Sequence, residues 1–303
     1  MVRSAWLSER CGGEVWLKLE SLQVANSFKS RGAFNAVMAL LERGGAPARL
    51  VTASAGNHGR ALAAAAETFG LPLVVFTPAN APATKLDAIR RHGATLRAEA
   101  RDYDEAEKQA KEFASKDGGT FISPYNDDDV IAGAATVATE MFEEVPEIET
   151  LVVPIGGGGL ISGVAVAATA VAPACEIVGI EVAASNAFQV SVRAGRLVEI
   201  VPGETIADGL GGNPDPDTIT FAFIQRFVDR IVTVSEADLA AAMVGLFEAE
   251  HLVVEGAGAA STAALLGRQI DAPDRHVVVI VSGGNVDGST LRSVVSSQST
   301  LDG

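Results

Sequence analysis

Residues 151–172 read LVVPIGGGGLISGVAVAATAVA. The run is long and apolar enough to span a bilayer. It also contains Pro154 and four consecutive glycines, and small residues dominate its second half. A buried strand, a glycine turn and a helix start explain it better than a membrane span. At Gly156, Gly157, Gly158 and Gly159 there is no Cβ, so successive backbone N–H groups can converge on an anion. The dipole of the helix that follows adds to the attraction. One glycine suffices for a tight strand-to-helix turn, and four point to a phosphate.

A dinucleotide is one phosphate ligand to weigh. Gly157, Gly159 and Gly163 form a loose variant of the dinucleotide glycine pattern, and Glu181 ends the next strand where a ribose-binding acid is expected. The strict spacing fails, because Ile161 or Ser162 falls where the third glycine belongs. On the residues alone, a nucleotide-binding protein without catalytic activity stays open beside an enzyme.

Outward from the glycines, short apolar runs alternate with helical segments. Strands are expected at 14–19, 49–54, 72–78, 95–100, 120–124, 150–156, 175–181, 229–235 and 276–284. Helices are expected between them, with Gly70 as one stop. Near-continuous apolar strands separated by helices predict parallel sheets covered on both faces, an α/β fold. Residues 196–216, with Pro202, Pro214, Pro216 and GLGGN, are expected to be irregular. The strand–helix units up to about residue 125 are expected to form a smaller lobe.

The whole chain of 303 residues carries a net charge of −15, which argues against a broad nucleic-acid-binding face. Cys11 and Cys175 stand far apart in no metal or disulfide spacing, so a cytoplasmic protein is expected. The N-terminal MVRSAWLSER lacks the apolar core of a signal peptide.

Three more stretches bear on function. NSFKSRG at 26–32 sets Lys29 after Phe28 and before a helical segment. TASAGNHGRALA at 52–63 puts Asn57 at a helix N-terminus, with a turn from Ser54 to His58 whose free N–H groups suit a carboxylate. VSGGN at 281–285 ends the last buried strand with Ser282 and two glycines. Each alone has an ordinary reading: a solvated lysine, an N-cap by Ser54 or Asn57, a sheet-edge turn.

Together with LKLESLQVANSFKSRGAFNA, SPYNDDDVIAGAATVATE, ETIADGL and VVEGAGAA, these stretches resemble the fold-type II pyridoxal-phosphate (PLP) enzymes, over roughly residues 5–290. The resemblance is to the serine/threonine dehydratase and serine racemase branch. It implies two open twisted-sheet α/β domains of the tryptophan synthase β-like class: a large PLP-binding one (1–49 and 126–303) and a small one (50–125), with the cofactor in the cleft between them. It implies that Lys29 forms the Schiff base and shuttles the Cα proton. Phe28 would pack on the pyridine ring, and Asn57 would bond the ring's 3′ oxygen. Gly156, Gly157, Gly158, Gly159 and Leu160 would hold the phosphate, and Ser282 would face the ring nitrogen. Ser54, Ala55, Gly56, Asn57 and His58 would receive the substrate carboxylate. A homodimer is implied as well.

Within the branch, racemases carry a serine before Gly-Asn-His as a second acid/base, and here that position is Ala55. β-Elimination needs only Lys29, so a dehydratase of L-threonine or L-serine is expected. A serine racemase and a 3-hydroxyaspartate dehydratase are the alternatives. The cation site of some members maps onto Glu181, Ser185 and Ala187 and lacks its second carboxylate, so no metal is expected. Asp208 and Glu255 lie in family motifs and have ordinary roles as caps or loop ligands beside direct ones. His58, His251 and His276 show no ligand spacing. The chain stops soon after its last expected strand, so feedback through an appended regulatory domain is not expected. Substrate choice depends on loop positions such as Tyr125 and 209–213.

Overall fold

The computed structural model of the chain describes residues 1–44 and 47–298. Residues 45–46 and 299–303, part of the expected large domain, lie outside the described residues. In chain order the strands are β1 (Val2–Arg3), β2 (Glu14–Leu19), β3 (Leu50–Ala53), β4 (Leu73–Pro78), β5 (Thr95–Ala100), β6 (Thr120–Phe121), β7 (Thr150–Pro154), β8 (Glu176–Val182), β9 (Arg230–Val234) and β10 (His276–Val281). The helices are α1 (Ala5–Cys11), α2 (Lys29–Glu42), α3 (Asn57–Phe69), α4 (Ala83–Arg90), α5 (Tyr103–Lys116), α6 (Asp128–Glu144), α7 (Gly159–Val171), α8 (Ala187–Ala194), α9 (Thr220–Phe227), α10 (Glu236–Glu250), α11 (Gly256–Leu266) and α12 (Gly288–Gln298). The apolar run at 151–172 is thus a strand, a glycine turn and a helix. Among the described residues no helix is long and apolar enough to cross a membrane.

The chain divides into two compact units, Met1–Leu22 with Ala135–Gly303, and Gln23–Ala134. The first holds a sheet in the order β1-β2-β10-β7-β8-β9, parallel throughout except for β1. Its central strands, TLVVP and HVVVIV, are apolar without alternation because helices cover both faces. Val279 pairs with Val152 and Val281 with Leu19. Continuing that register sets Ser282 level with Ile155 on one side and Glu20 on the other. Neighbouring strands lie about 4.8 Å apart, so Ser282 emerges beside the glycine turn.

One buried charge of this unit is paired: Lys18 of β2 bonds Glu140 of α6 and lies 3.9 Å from Glu20. Residues 196–216 hold no regular element beyond a short 3-10 turn at Asp208–Leu210, as their prolines and glycines predict.

The second unit holds a fully parallel sheet in the order β5-β4-β3-β6. The expected small domain, 50–125, lies wholly inside this unit, which also takes in α2. Ala33, Ala36 and Val37 of α2 share a core with Ala61, Leu62 and Ala65 of α3, and small side chains let these helices pack closely. Where α2 meets α6, a Cβ on Gly32 would fall 2.8 Å from Val130 O, and one on Gly133 would fall 2.4 Å from Arg31 O. That close backbone approach brings the start of α2 to the segment that leads into α6.

Candidate active site

Lys29 opens α2 and directs its amine at that segment, where Nζ donates to Pro124 O at 2.7 Å. The residue is half-buried overall, but the amine itself sits among protein atoms, 5.0 Å from the Phe28 ring centroid. Among the described residues no carboxylate pairs with it. Burial alone therefore acts, and pushes its pKa down to about 8 from 10.5.

The same segment ties Lys29 to the 54–58 turn. Ile122 O accepts from Thr52 Oγ1 at 2.8 Å, and His58 Nε2 lies 3.3 Å from the same oxygen. Burial first, then the charge on Lys29, push the His58 imidazole down to about 3, while the Ile122 bond pulls the other way. His58 is therefore neutral with its proton on Nε2. Its buried Nδ1 has no partner among the described residues. The helix that follows is capped at Gly56 without a side-chain bond, so neither Ser54 nor Asn57 serves as the N-cap. Ser54 Oγ instead accepts from Gly56 N at 3.2 Å, and a Cβ on Gly59 would fall 2.4 Å from Ser54 O. Ala55 is half-buried in this turn.

In the other unit, α7 begins after Gly158, which adopts φ +87° with no side-chain cap. The N–H groups of residues 156–161 find no acceptor among the described residues. A row of unpaired donors at a helix start is an anion cradle. Ser162 Oγ just below it is buried and also unpartnered. Backbone contacts through glycines pack the other motifs around the turn. A Cβ on Gly156 would fall 2.3 Å from Gly209 O, one on Gly256 2.4 Å from Ile206 O, and one on Gly258 2.2 Å from Gly283 O. ETIADGL thus meets the tetraglycine turn by main chain, VVEGAGAA meets ETIADGL, and VSGGN meets VVEGAGAA. Asp208 itself points outward, exposed. Ser282 is buried and its Oγ donates to Ala257 O at 3.3 Å, a long bond that leaves the rotor free to turn.

Glu181 is the penultimate residue of β8 and is 2% exposed. Its two oxygens accept from Phe188 N at 2.9 Å and Gln189 N at 2.7 Å, so it caps α8. Ser185 Oγ bonds Gly212 N and O rather than Glu181. Burial raises the Glu181 carboxyl to about 7 from 4.5, against the pull of the two N–H donors. The folded chain therefore keeps a proton that the unfolded chain releases. Stability from this group is complete below pH 4.5 and is lost as pH rises through 7, a difference of about 3 kcal/mol at most. Urea midpoints at pH 5 and pH 8 test this: Glu181→Gln is expected to remove that part of the slope.

An anion cradle and an amine tuned to attack a carbonyl are what an aldehyde-bearing phosphate cofactor requires, and the enzymes of one class use both. The chain belongs to that class: residues 1–283 match the family of pyridoxal-phosphate dependent enzymes. The L-threonine ammonia-lyase of Thermotoga maritima is 39% identical over 297 residues, covering 97% of this chain and 72% of the relative. The L-threo-3-hydroxyaspartate ammonia-lyase of Saccharomyces cerevisiae is 37% identical over 296 residues, covering 98% of this chain and 90% of the relative. The structure of maize serine racemase superposes with a TM-score of 0.90 at 34% identity, covering 99% of this chain and 92% of the other. The fold is therefore that of the fold-type II enzymes, the cofactor is PLP, and the chain is an enzyme of lyase type.

Sequence reasoning did not find Pro124, Ile122, Thr52 or Thr220, the last of which bonds the glycine turn. Two of them act through backbone carbonyls, which leave no mark in residue type.

Proposed function

We propose that the chain is an ammonia-lyase that eliminates water from a β-hydroxy amino acid, L-threonine or L-serine. The observation that carries this is the Lys29 amine, held on a backbone carbonyl with its pKa lowered to about 8. At pH 7 roughly one such amine in ten is neutral, against fewer than one in a thousand for an ordinary lysine.

PLP, when bound, supplies the electron sink for charge that develops at the substrate Cα. Lys29 would hold the cofactor through its amine, and the same amine in its neutral form would take the proton from the substrate Cα. The N–H groups of Gly156, Gly157, Gly158, Gly159 and Leu160 would hold the phosphate. Phe28 would pack on the ring and Asn57 would bond its oxygen. Ser282 would meet the ring nitrogen with a neutral hydroxyl, which supplies no charge to keep that nitrogen protonated. The turn from Ser54 to His58 would receive the substrate carboxylate. His58 would do so through its main-chain N–H, because its ring proton is directed at Ile122 O. The substrate loses its Cα proton and its β-hydroxyl as water; the enamine released takes up water and yields a 2-oxo acid and ammonia.

Formation of 2-oxo acid from L-threonine, L-serine and 3-hydroxyaspartate, with chiral analysis of residual amino acid, tests the reading. D-serine appearing as fast as pyruvate would overturn it in favour of a racemase. Ala55 offers no proton to the second face of Cα. Ala55→Ser is accordingly expected to raise racemisation of serine by on the order of tenfold or more. No gain in that variant removes Ala55 as the reason for the expected product.

A further inference from the structure

Thr220 opens α9, and its Oγ1 donates to Gly157 O at 2.9 Å. Thr218 Oγ1 lies 2.7 Å from Thr220 Oγ1 and accepts from Thr220 N at 3.3 Å. A hydroxyl has one proton. With that of Thr220 on Gly157, Thr218 must donate to Thr220. The relay therefore runs from the Thr218 hydroxyl to the Thr220 hydroxyl to the Gly157 carbonyl. Both side chains are buried, at 8% and 0% exposure, so neither hydroxyl is there to meet water.

The geometry has one consequence for the turn. In a trans peptide the C=O and the next N–H point to opposite sides. Fixing Gly157 O toward Thr220 fixes the Gly158 N–H away from α9. Thr220 also fills the space a side chain at Gly158 would need: a Cβ there would fall 2.8 Å from Thr220 Cβ and Oγ1. Turned the other way, this peptide would present an oxygen among the donors at the start of α7, and an anion would be repelled.

We propose that Thr220 is a positioning residue that sets the donor face of the tetraglycine turn, and that Thr218 in turn sets Thr220. Neither touches the cofactor. The proposal rests on the reading that this turn holds the PLP phosphate.

Binding of PLP and of pyridoxal, which lacks the phosphate, to the refolded cofactor-free chain separates the two ideas. Wild type is expected to prefer PLP strongly; equal affinity would sink the phosphate reading itself, whatever Thr220 does. Thr220→Val keeps the shape and removes the donor. It is expected to lower PLP affinity about tenfold and leave pyridoxal affinity unchanged. Thr220→Ser, which keeps the proton, is expected to bind as wild type. A preference for PLP undiminished in Thr220→Val overturns the positioning role. Should that variant fail to fold, Thr218→Val removes only the donor to Thr220. It is expected to lower the preference in the same direction by about threefold, and an unchanged preference there overturns the proposal equally.

Discussion

Lys29→Ala is expected to abolish 2-oxo acid formation, by about four orders of magnitude or more, and with it covalent attachment of the cofactor. Borohydride reduction followed by mass analysis reads the attachment; turnover or labelling that survives in the variant would falsify the assignment. Lys29→Arg is expected to fail equally, because a guanidinium does not deprotonate near neutral pH. Before the cofactor is linked, trinitrobenzenesulfonate should modify Lys29 with a midpoint near pH 8, well below an ordinary lysine. Stability should move against activity. The folded pKa is depressed, so burial of the charged amine costs stability below pH 8, and the cost is relieved as pH rises from 8 to 10.5. Lys29→Met should thus melt higher than wild type at pH 7, with the gap closing toward pH 10. A residue that merely packed would show the reverse sign at neutral pH.

Gly158→Val is expected to cost the fold about 3 kcal/mol and to prevent phosphate binding. Two independent penalties meet at this residue. Its φ of +87° is one that a β-branched side chain adopts only under strain, and the new Cβ would fall 2.8 Å from Thr220 Oγ1 and 3.0 Å from Ile224 Cδ1. The turn cannot relax toward α9, so it must open the other way and displace the donors of residues 157–160. Gly70→Ala is the matching control. Gly70 has φ +67° with nothing within 4 Å of its Cβ position, so only the backbone cost of about 1 kcal/mol applies. PLP affinity unchanged in Gly158→Val would show that the turn is not the anion cradle.

Much of the scaffold was legible because burial on both faces writes itself as unbroken apolar strands. LVVP and HVVVIV announce parallel strands, and Gly70 announces a helix end. The turns of the candidate site were legible because reactive or unusual residue types cluster in them. Strand ends were less so. The expected strand at 120–124 stops at Phe121, since Ser123 Oγ accepts from Asn126 N at 3.0 Å and bends the chain toward α6. Helices α1, α8, α9 and α12 were not foreseen; the first three span only seven or eight residues, about two turns, too little for a helical period to stand out. The partner of Lys29 was hidden for a different reason: every residue has a carbonyl, and only the crossing of α2 and α6 selects that of Pro124. Thr220 was hidden by distance, lying 63 residues from the glycine it fixes.

The parallel sheet of the 23–134 unit also sorts its loops by their freedom to change. Turns that follow strands carry the 54–58 donors and the Pro124 carbonyl. Turns that precede strands carry Gly70, Gly93 and Gly118, each at positive φ with open space around the missing Cβ. These two sets emerge at opposite ends of the strands. Lineages can therefore lengthen, decorate or graft onto the Gly93 turn without disturbing the reacting end, and a laboratory can place an epitope or fluorophore there for the same reason. Chemistry and drift occupy opposite poles of one sheet.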